Sequence, residues 1–348
     1  MNSSLHNTLE WPIVGHDWAV NLLQRVVAEA RPSHAYLLTG PDGIGKRSLA
    51  RIFAQALFCL APDRRPCGEC RACHLTLHGN HPDLFVLDLE SQRRLLDERE
   101  PATVYKVETI RQLQSDLSRR PVESRWKIIL LTEAERMTVA AANAFLKTLE
   151  EPPPFAVLVL TTRDKELLLP TILSRCQALP LRPVPAERIE RFLRDRLGVN
   201  PDRAALVARI SNGRVGWAVR AVKEEATGGE SPLLEARRAA IEALTTALRG
   251  TRTDRLGIAQ TLAKANDTAL LVTWASWWRD LLLLKHGADR ALSNIDMRPA
   301  LAQLAGQLPE PEIRQSLRAI RHTLRLLQET NVNTQLAWEV LLLAFPHL

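Results

Sequence analysis

The sequence predicts an α/β protein: a parallel-sheet domain of nucleotide-binding type, followed by helices alone. Three observations carry this. Four short apolar runs alternate with helical stretches before residue 180, a glycine-rich loop with a lysine follows the first run, and no strand-like run appears after Pro180.

The runs are AYLLTG (35–40), LFVLDL (84–89), KIILLT (127–132) and AVLVLTT (156–162). None has the polar alternation of a half-exposed strand, so each suits a sheet buried on both faces. Between them, KRSLARIFAQALFCL and TVAAANAFLKTLEE carry apolar residues at helical spacing and predict helices on that sheet. From Pro185 to about Val222, short helical patterns are cut by Gly198, Pro201 and Gly213, enough for a small helical lid. The polar stretch EEATGGESP, Glu224 to Pro232, reads as a linker. Beyond it, residues 233–348 are helical in pattern, with leucine and alanine stripes. The expected domains are therefore 1–180, 181–225 and 233–348.

Of 348 residues, 46% are hydrophobic and 24% charged, which fits a soluble protein of two or three domains and excludes a disordered chain. The formal charge of +7 permits a nucleic-acid partner, although a dispersed arginine excess serves equally as a solvated surface. The opening MNSSLHNTLEWPIVG has no basic region followed by an apolar run, so a cytoplasmic location is expected. ALLVTWASWWRDLLLLKHG is broken by Arg279 and Asp280 before the roughly 20 residues a membrane span needs. It predicts a buried helix, and no membrane partner.

Five cysteines in a reducing compartment argue against a disulfide framework. Cys59, Cys67, Cys70 and Cys73 form a C-x7-C-x2-C-x2-C array, whose two-residue gaps let thiolates turn back onto one ion. Four sulfurs satisfy tetrahedral Zn²⁺ and leave no open position for an activated water, so the expectation is a structural zinc. His74, His78 or His81 could replace one sulfur, most readily that of Cys59. Cys176 stands apart and reads as a buried thiol.

In GPDGIGKRSLA, the loop glycines Gly40, Gly43 and Gly45 precede Lys46 at the spacing of a phosphate-binding loop between strand and helix. Backbone N–H groups turn inward around phosphate oxygens, the helix N-terminus adds positive potential, and Lys46 reaches the terminal phosphates. Arg47, however, stands where a hydroxyl would bind Mg²⁺, and Ser48 points about 100° away around the helix. At the end of the third strand, Glu133 is present but Thr132 occupies the place of a metal-binding Asp. With both metal contacts gone, ATP or Mg²⁺ binding is doubtful and hydrolysis by this chain is not expected.

With IVGHDWAVNLL, the phosphate loop, NAFLKTLEEPP (143–153) and TILSRC (171–176), the chain resembles the AAA+ ATPases, and among them the bacterial replicative clamp loaders, over roughly the first 220 residues. SNIDMRPALAQLAGQL and NVNTQLAWEVLLL are similar to the collar region of that family. The resemblance implies that Arg175 is an arginine finger projecting into a neighbour's ATP site. It also implies a zinc module inserted in the first domain, and a C-terminal collar through which five subunits assemble. Partners so implied are clamp loader ATPase subunits, a delta-type subunit, the sliding clamp and the backbone of primer-template DNA. A lid arginine sensing nucleotide is expected where Gly216 stands, with Arg214 two residues earlier, and Thr161 or Thr162 is the candidate γ-phosphate sensor. The helix in YKVETIRQLQSDLSRR (105–120), with Lys106, Arg111, Arg119 and Arg120, is the candidate DNA-backbone surface, and a solvated helix face explains it equally well.

Overall fold

A computed structural model of the chain describes residues 11–226, 229, 231–265, 268–329 and 332–348. Two compact units divide at Val184/Pro185.

The first unit holds a five-stranded sheet of β1 (Ala35–Thr39), β2 (Leu84–Leu87), β3 (Lys127–Leu131), β4 (Ala156–Thr162) and β5 (Gln177–Pro180). All neighbours are parallel, in the order β2-β3-β4-β1-β5. Helices α1 (Asp17–Glu29), α2 (Lys46–Phe58), α3 (Arg71–His78), α4 (Leu89–Leu95), α5 (Val107–Ser118), α6 (Val139–Glu150) and α7 (Pro170–Leu173) connect and cover it. Alternation along the strands makes two cores. Tyr36, Leu38, Ile128, Leu130, Val157 and Val159 face one side with residues of α1 and α2. Ala35, Leu37, Ile129, Leu131, Leu158 and Leu160 face the other with residues of α5 and α6. Both faces are thus covered, which explains why these strands read as unbroken apolar runs.

β5 was not legible in the sequence. Its four residues show only Leu179 buried, and it pairs with β1 alone at the sheet edge. A short edge strand covered on one side leaves no apolar run to read.

The second unit is helical: α8 (Ala186–Leu197), α9 (Pro201–Ile210), α10 (Val215–Ala226), α11 (Pro232–Arg249), α12 (Arg252–Ala265), α13 (Ala269–Lys285), α14 (Arg298–Gln307), α15 (Glu310–Glu329) and α16 (Thr334–Leu343). Gly198 closes α8 at φ 65°, and Asn200 caps α9 ahead of Pro201. Of the expected linker, residues 227, 228 and 230 lie outside the described residues, as does most of the N-terminal stretch read for a targeting signal and Asn331 in the closing motif. α13 carries Trp274, Trp277 and Trp278, all buried, so the most apolar segment is core. Among the described residues, no helix is long and apolar enough to cross a membrane.

Candidate functional site

The glycine loop sits at the carboxyl end of the sheet, where β1 lies between β4 and β5 and chain connections leave in opposite directions. That is the crevice where open parallel sheets hold ligands. The Gly40 N–H donates to the Thr162 carbonyl at 3.2 Å. At φ 144°, a Cβ on Gly40 would stand 2.6 Å from the Leu181 carbonyl oxygen, so only glycine fits. Gly45 is the N-cap of α2 at φ 114°, with open space where its Cβ would be. The loop is tied from outside by His16, whose Nε2 lies 3.1 Å from the Ile44 carbonyl. His16 follows Gly15 in a left-handed conformation, φ 60°, and no sequence signal singled it out.

Lys46 turns back on its own loop. Its Nζ donates to the Gly40 carbonyl, to that of Pro41 at 3.2 Å and to Asp42 Oδ1 at 3.4 Å. Burial lowers its pKa, with Asp42 opposing. Arg47 pairs with Asp88 across 2.7 Å. Asp88 is itself the N-cap of α4, accepting from Ser91 N–H at 2.8 Å. Burial alone would raise the Asp88 pKa, but the Ser91 N–H and Arg47 lower it overall. A neutralised cation therefore occupies the position of the metal-binding hydroxyl, and Ser48 is exposed.

At the end of β3, Thr132 is buried, its hydroxyl 3.4 Å from the Leu87 carbonyl. The Tyr105 hydroxyl lies 2.8 Å from the Thr132 carbonyl. Glu133 adopts φ 49° and its carboxylate is held by Arg136. Its N–H donates to Thr161 Oγ1 at 3.1 Å, while the Thr162 hydroxyl donates to the Asp164 carbonyl at 2.8 Å. Both sensor candidates are buried and engaged by protein.

Arg175 follows α7 on a half-exposed corner. Its Nη1 donates to the Thr171 carbonyl at 2.9 Å and its Nη2 pairs with Glu150 Oε1 at 2.8 Å. Glu150 closes α6, so the arginine and the LEE of the quoted motif meet in space. The part-buried Cys176 thiol beside it is pushed up to about 12 by burial. Just before α10, Arg214 Nε donates to the Ser211 carbonyl at 2.8 Å, and the guanidinium lies 5.5 Å from the Trp217 ring centre.

The four cysteines converge from three places: Cys59 ends α2, Cys67 and Cys70 flank a turn through Gly68, and Cys73 opens α3. Their sulfurs lie within 4.8 Å of one another, so they could hold a metal ion. The Cys67 N–H donates to Cys59 Sγ, and the Cys70 N–H to Cys67 Sγ, each at 3.3 Å. Such donors favour thiolates. N–H groups of Glu69 and Cys70 bring the Cys67 thiol down to about 6, while burial pushes Cys59 and Cys73 up. His81, one of the alternative ligands, instead stacks on Phe58 at 4.0 Å.

On the candidate DNA surface, Lys106 is paired with Glu98 at 2.6 Å. Buried Gln92 accepts from the Lys106 N–H at 2.9 Å and the Thr109 hydroxyl at 2.7 Å, closing the N-terminal end of α5. Arg111, Arg119 and Arg120 are exposed.

A glycine loop with its lysine at the carboxyl edge of a parallel sheet covered on both faces is the arrangement of the nucleotide-binding α/β class of proteins. Residues 15–185 match the family described as DNA polymerase III, delta subunit, and residues 231–347 match the family described as DNA polymerase III, delta subunit, C terminal. The chain belongs to the DNA polymerase III clamp loader family.

Among relatives, DNA polymerase III subunit delta' of Pseudomonas aeruginosa is 42% identical over 48% of this chain and 49% of its own length. The chain thus spans about half of that relative. Subunit delta' of Escherichia coli is 28% identical over 95% of both chains. Subunit tau/gamma of Haemophilus influenzae is 36% identical over 52% of this chain and 25% of its own length.

Proposed function

We propose that the chain acts as a delta-prime-type subunit of the DNA polymerase III clamp loader, lending Arg175 in trans to the ATP site of an adjoining ATPase subunit. In this reading it hydrolyses no ATP itself. It assembles with ATPase subunits and a delta-type subunit into a five-membered loader that places the sliding clamp on primed DNA, as part of the DNA polymerase III holoenzyme. The lid is 181–225 and the collar 233–348. The cysteines Cys59, Cys67, Cys70 and Cys73 hold a structural zinc, and exposed Arg111, Arg119 and Arg120 meet the DNA backbone.

The observation that supports it most is the contrast between the two ends of the first unit. Its own metal site is closed by the Arg47–Asp88 pair and by Thr132, while Arg175 stands half-exposed on a single carboxylate. A guanidinium reaching a γ-phosphate from a neighbour stabilises charge developing in transfer, by roughly 10³ to 10⁵ in rate at that site. Arg175→Ala, reconstituted with partner ATPase subunits, is expected to lower DNA-stimulated hydrolysis by the complex. An unchanged rate would remove the proposed role.

The likeness to a tau/gamma subunit favours a second reading, a motor subunit in which Ser48 and Glu133 restore magnesium binding. Titration of the purified chain with labelled ATP separates the two: micromolar, Mg-dependent binding with turnover belongs to the motor.

A further inference from the structure

Beside the cysteine cluster, a cleft of about 740 Å³ opens between the end of α2 and the turn that enters β3. Phe58 and His81, stacked on each other, and Trp126, packed against the first core, lie along it. Leu60, 69% exposed, forms part of its edge. Three guanidiniums line it, those of Arg65, Arg71 and Arg125, against the single carboxylate of Glu123. Arg71 and Glu123 form a two-bond pair at 3.1 and 3.0 Å. Arg65 Nε is held by the Ala61 carbonyl at 2.7 Å, and the Arg125 guanidinium lies 4.8 Å from the Trp126 ring centre. Neither is paired with a carboxylate among the described residues. Two cations are thus oriented without being neutralised, next to exposed aliphatic surface.

We propose that this cleft binds an acidic peptide segment bearing an apolar side chain, supplied by another protein. Guanidiniums meet carboxylates in parallel two-bond pairs, and arginine clusters are recurrent readers of acidic motifs. An apolar side chain beside the acidic groups covers Leu60, and the volume is that of an ordinary ligand site. A single-stranded nucleic acid fits less well, because it needs open aromatic faces for stacking. Here Arg125 lies on Trp126 and His81 on Phe58. The proposal goes beyond the arginine-finger role and depends on neither Arg175 nor the phosphate loop.

Fluorescence anisotropy with the full chain tests it, using a labelled peptide of alternating aspartate and leucine, its lysine–leucine counterpart and a labelled oligothymidylate. The acidic peptide is expected to bind, and to weaken as salt rises. Arg125→Glu and Arg65→Gln should each raise its Kd at least about tenfold with the thermal midpoint unchanged, while Arg125→Lys, which keeps the charge but not the planar two-bond geometry, should fall between the parent and Arg125→Glu. The proposal is overturned by no binding of the acidic peptide at millimolar concentration, by equal binding of the lysine peptide, by an unchanged Kd in both variants, or by displacement of the peptide with oligothymidylate.

Discussion

Asp83 and Arg255 are buried charges held chiefly by backbone groups. Asp83 Oδ1 accepts from the Val122 N–H at 2.6 Å, and Oδ2 from those of Glu123 and Ser124 at 2.9 Å. Burial by itself would raise the Asp83 pKa, but these N–H groups overcome it and hold the carboxyl below its ordinary range. A depressed folded-state pKa contributes stability that is present above the unfolded value, near 3.9, and is lost as pH falls through the folded one. Asp83→Asn should therefore cost about 1.5–3 kcal/mol at pH 7 in urea unfolding, and its gap from the parent should narrow below about pH 4. A gap independent of pH would mean that ionisation of Asp83 contributes nothing.

Arg255 donates to five carbonyls: Ala247 and Leu248 near the end of α11, and Leu342, Phe345 and Pro346 at and after the end of α16. Two negative helix ends thereby share one cation. Arg255→Ala leaves these acceptors without a buried donor and should cost roughly 3 kcal/mol or more. Arg255→Lys should recover only part of this, because an ammonium has three donors rather than five. Thermal midpoints of the two variants check the order. The roles of Asp83, Arg255 and His16 were invisible in the sequence, because their partners lie far from them along the chain.

At the scale of elements, the four apolar runs, the loop and the helices around them were legible, since strand and helix periodicity is local. β5 was not, being short and covered on one side. The cysteine spacing placed the right four sulfurs together because the turn through Gly68 and the first turn of α3 are short-range geometry. If a metal holds Cys59 to Cys73, chelation should loosen this segment first. Hydrogen exchange should rise over 59–78 while the tryptophan-rich helices of the second unit keep their protection, and metal analysis should find one ion per chain. Uniform exchange in both units would argue against a local staple.

At the scale of the whole molecule, each unit encloses its own core, and the second unit joins its early helices to its later ones through a polar network. Asp280 accepts from the Ser293 and Asn294 N–H groups at 2.9 and 2.7 Å, and Asn212 accepts from the Ser293 hydroxyl at 2.8 Å. The SNIDMRP motif is thus a structural clasp between the α9–α10 turn and α13. One face stays open. Leu336, Val340 and Leu343, spaced i, i+4, i+7 on α16, are 57%, 60% and 44% exposed. Given the proposed collar, this stripe is the surface expected to meet a neighbouring subunit. Leu336→Asp with Val340→Asp should leave the thermal midpoint of the isolated chain within a few degrees of the parent and abolish its entry into the reconstituted assembly, read by size-exclusion chromatography. Normal assembly would place the interface elsewhere.

By itself, the sequence determined the α/β-then-helical order, the glycine loop with Arg47 after its lysine and Thr132 at the end of the third strand, the cysteine array and the family, because periodicity and motif spacing act over a few residues. Only the tertiary structure decided that Arg47 is neutralised by Asp88, that Glu150 holds Arg175, that Lys46 rests on its own loop and which side of α16 is left bare. Each of these depends on remote segments meeting in space, and no local pattern encodes the partner.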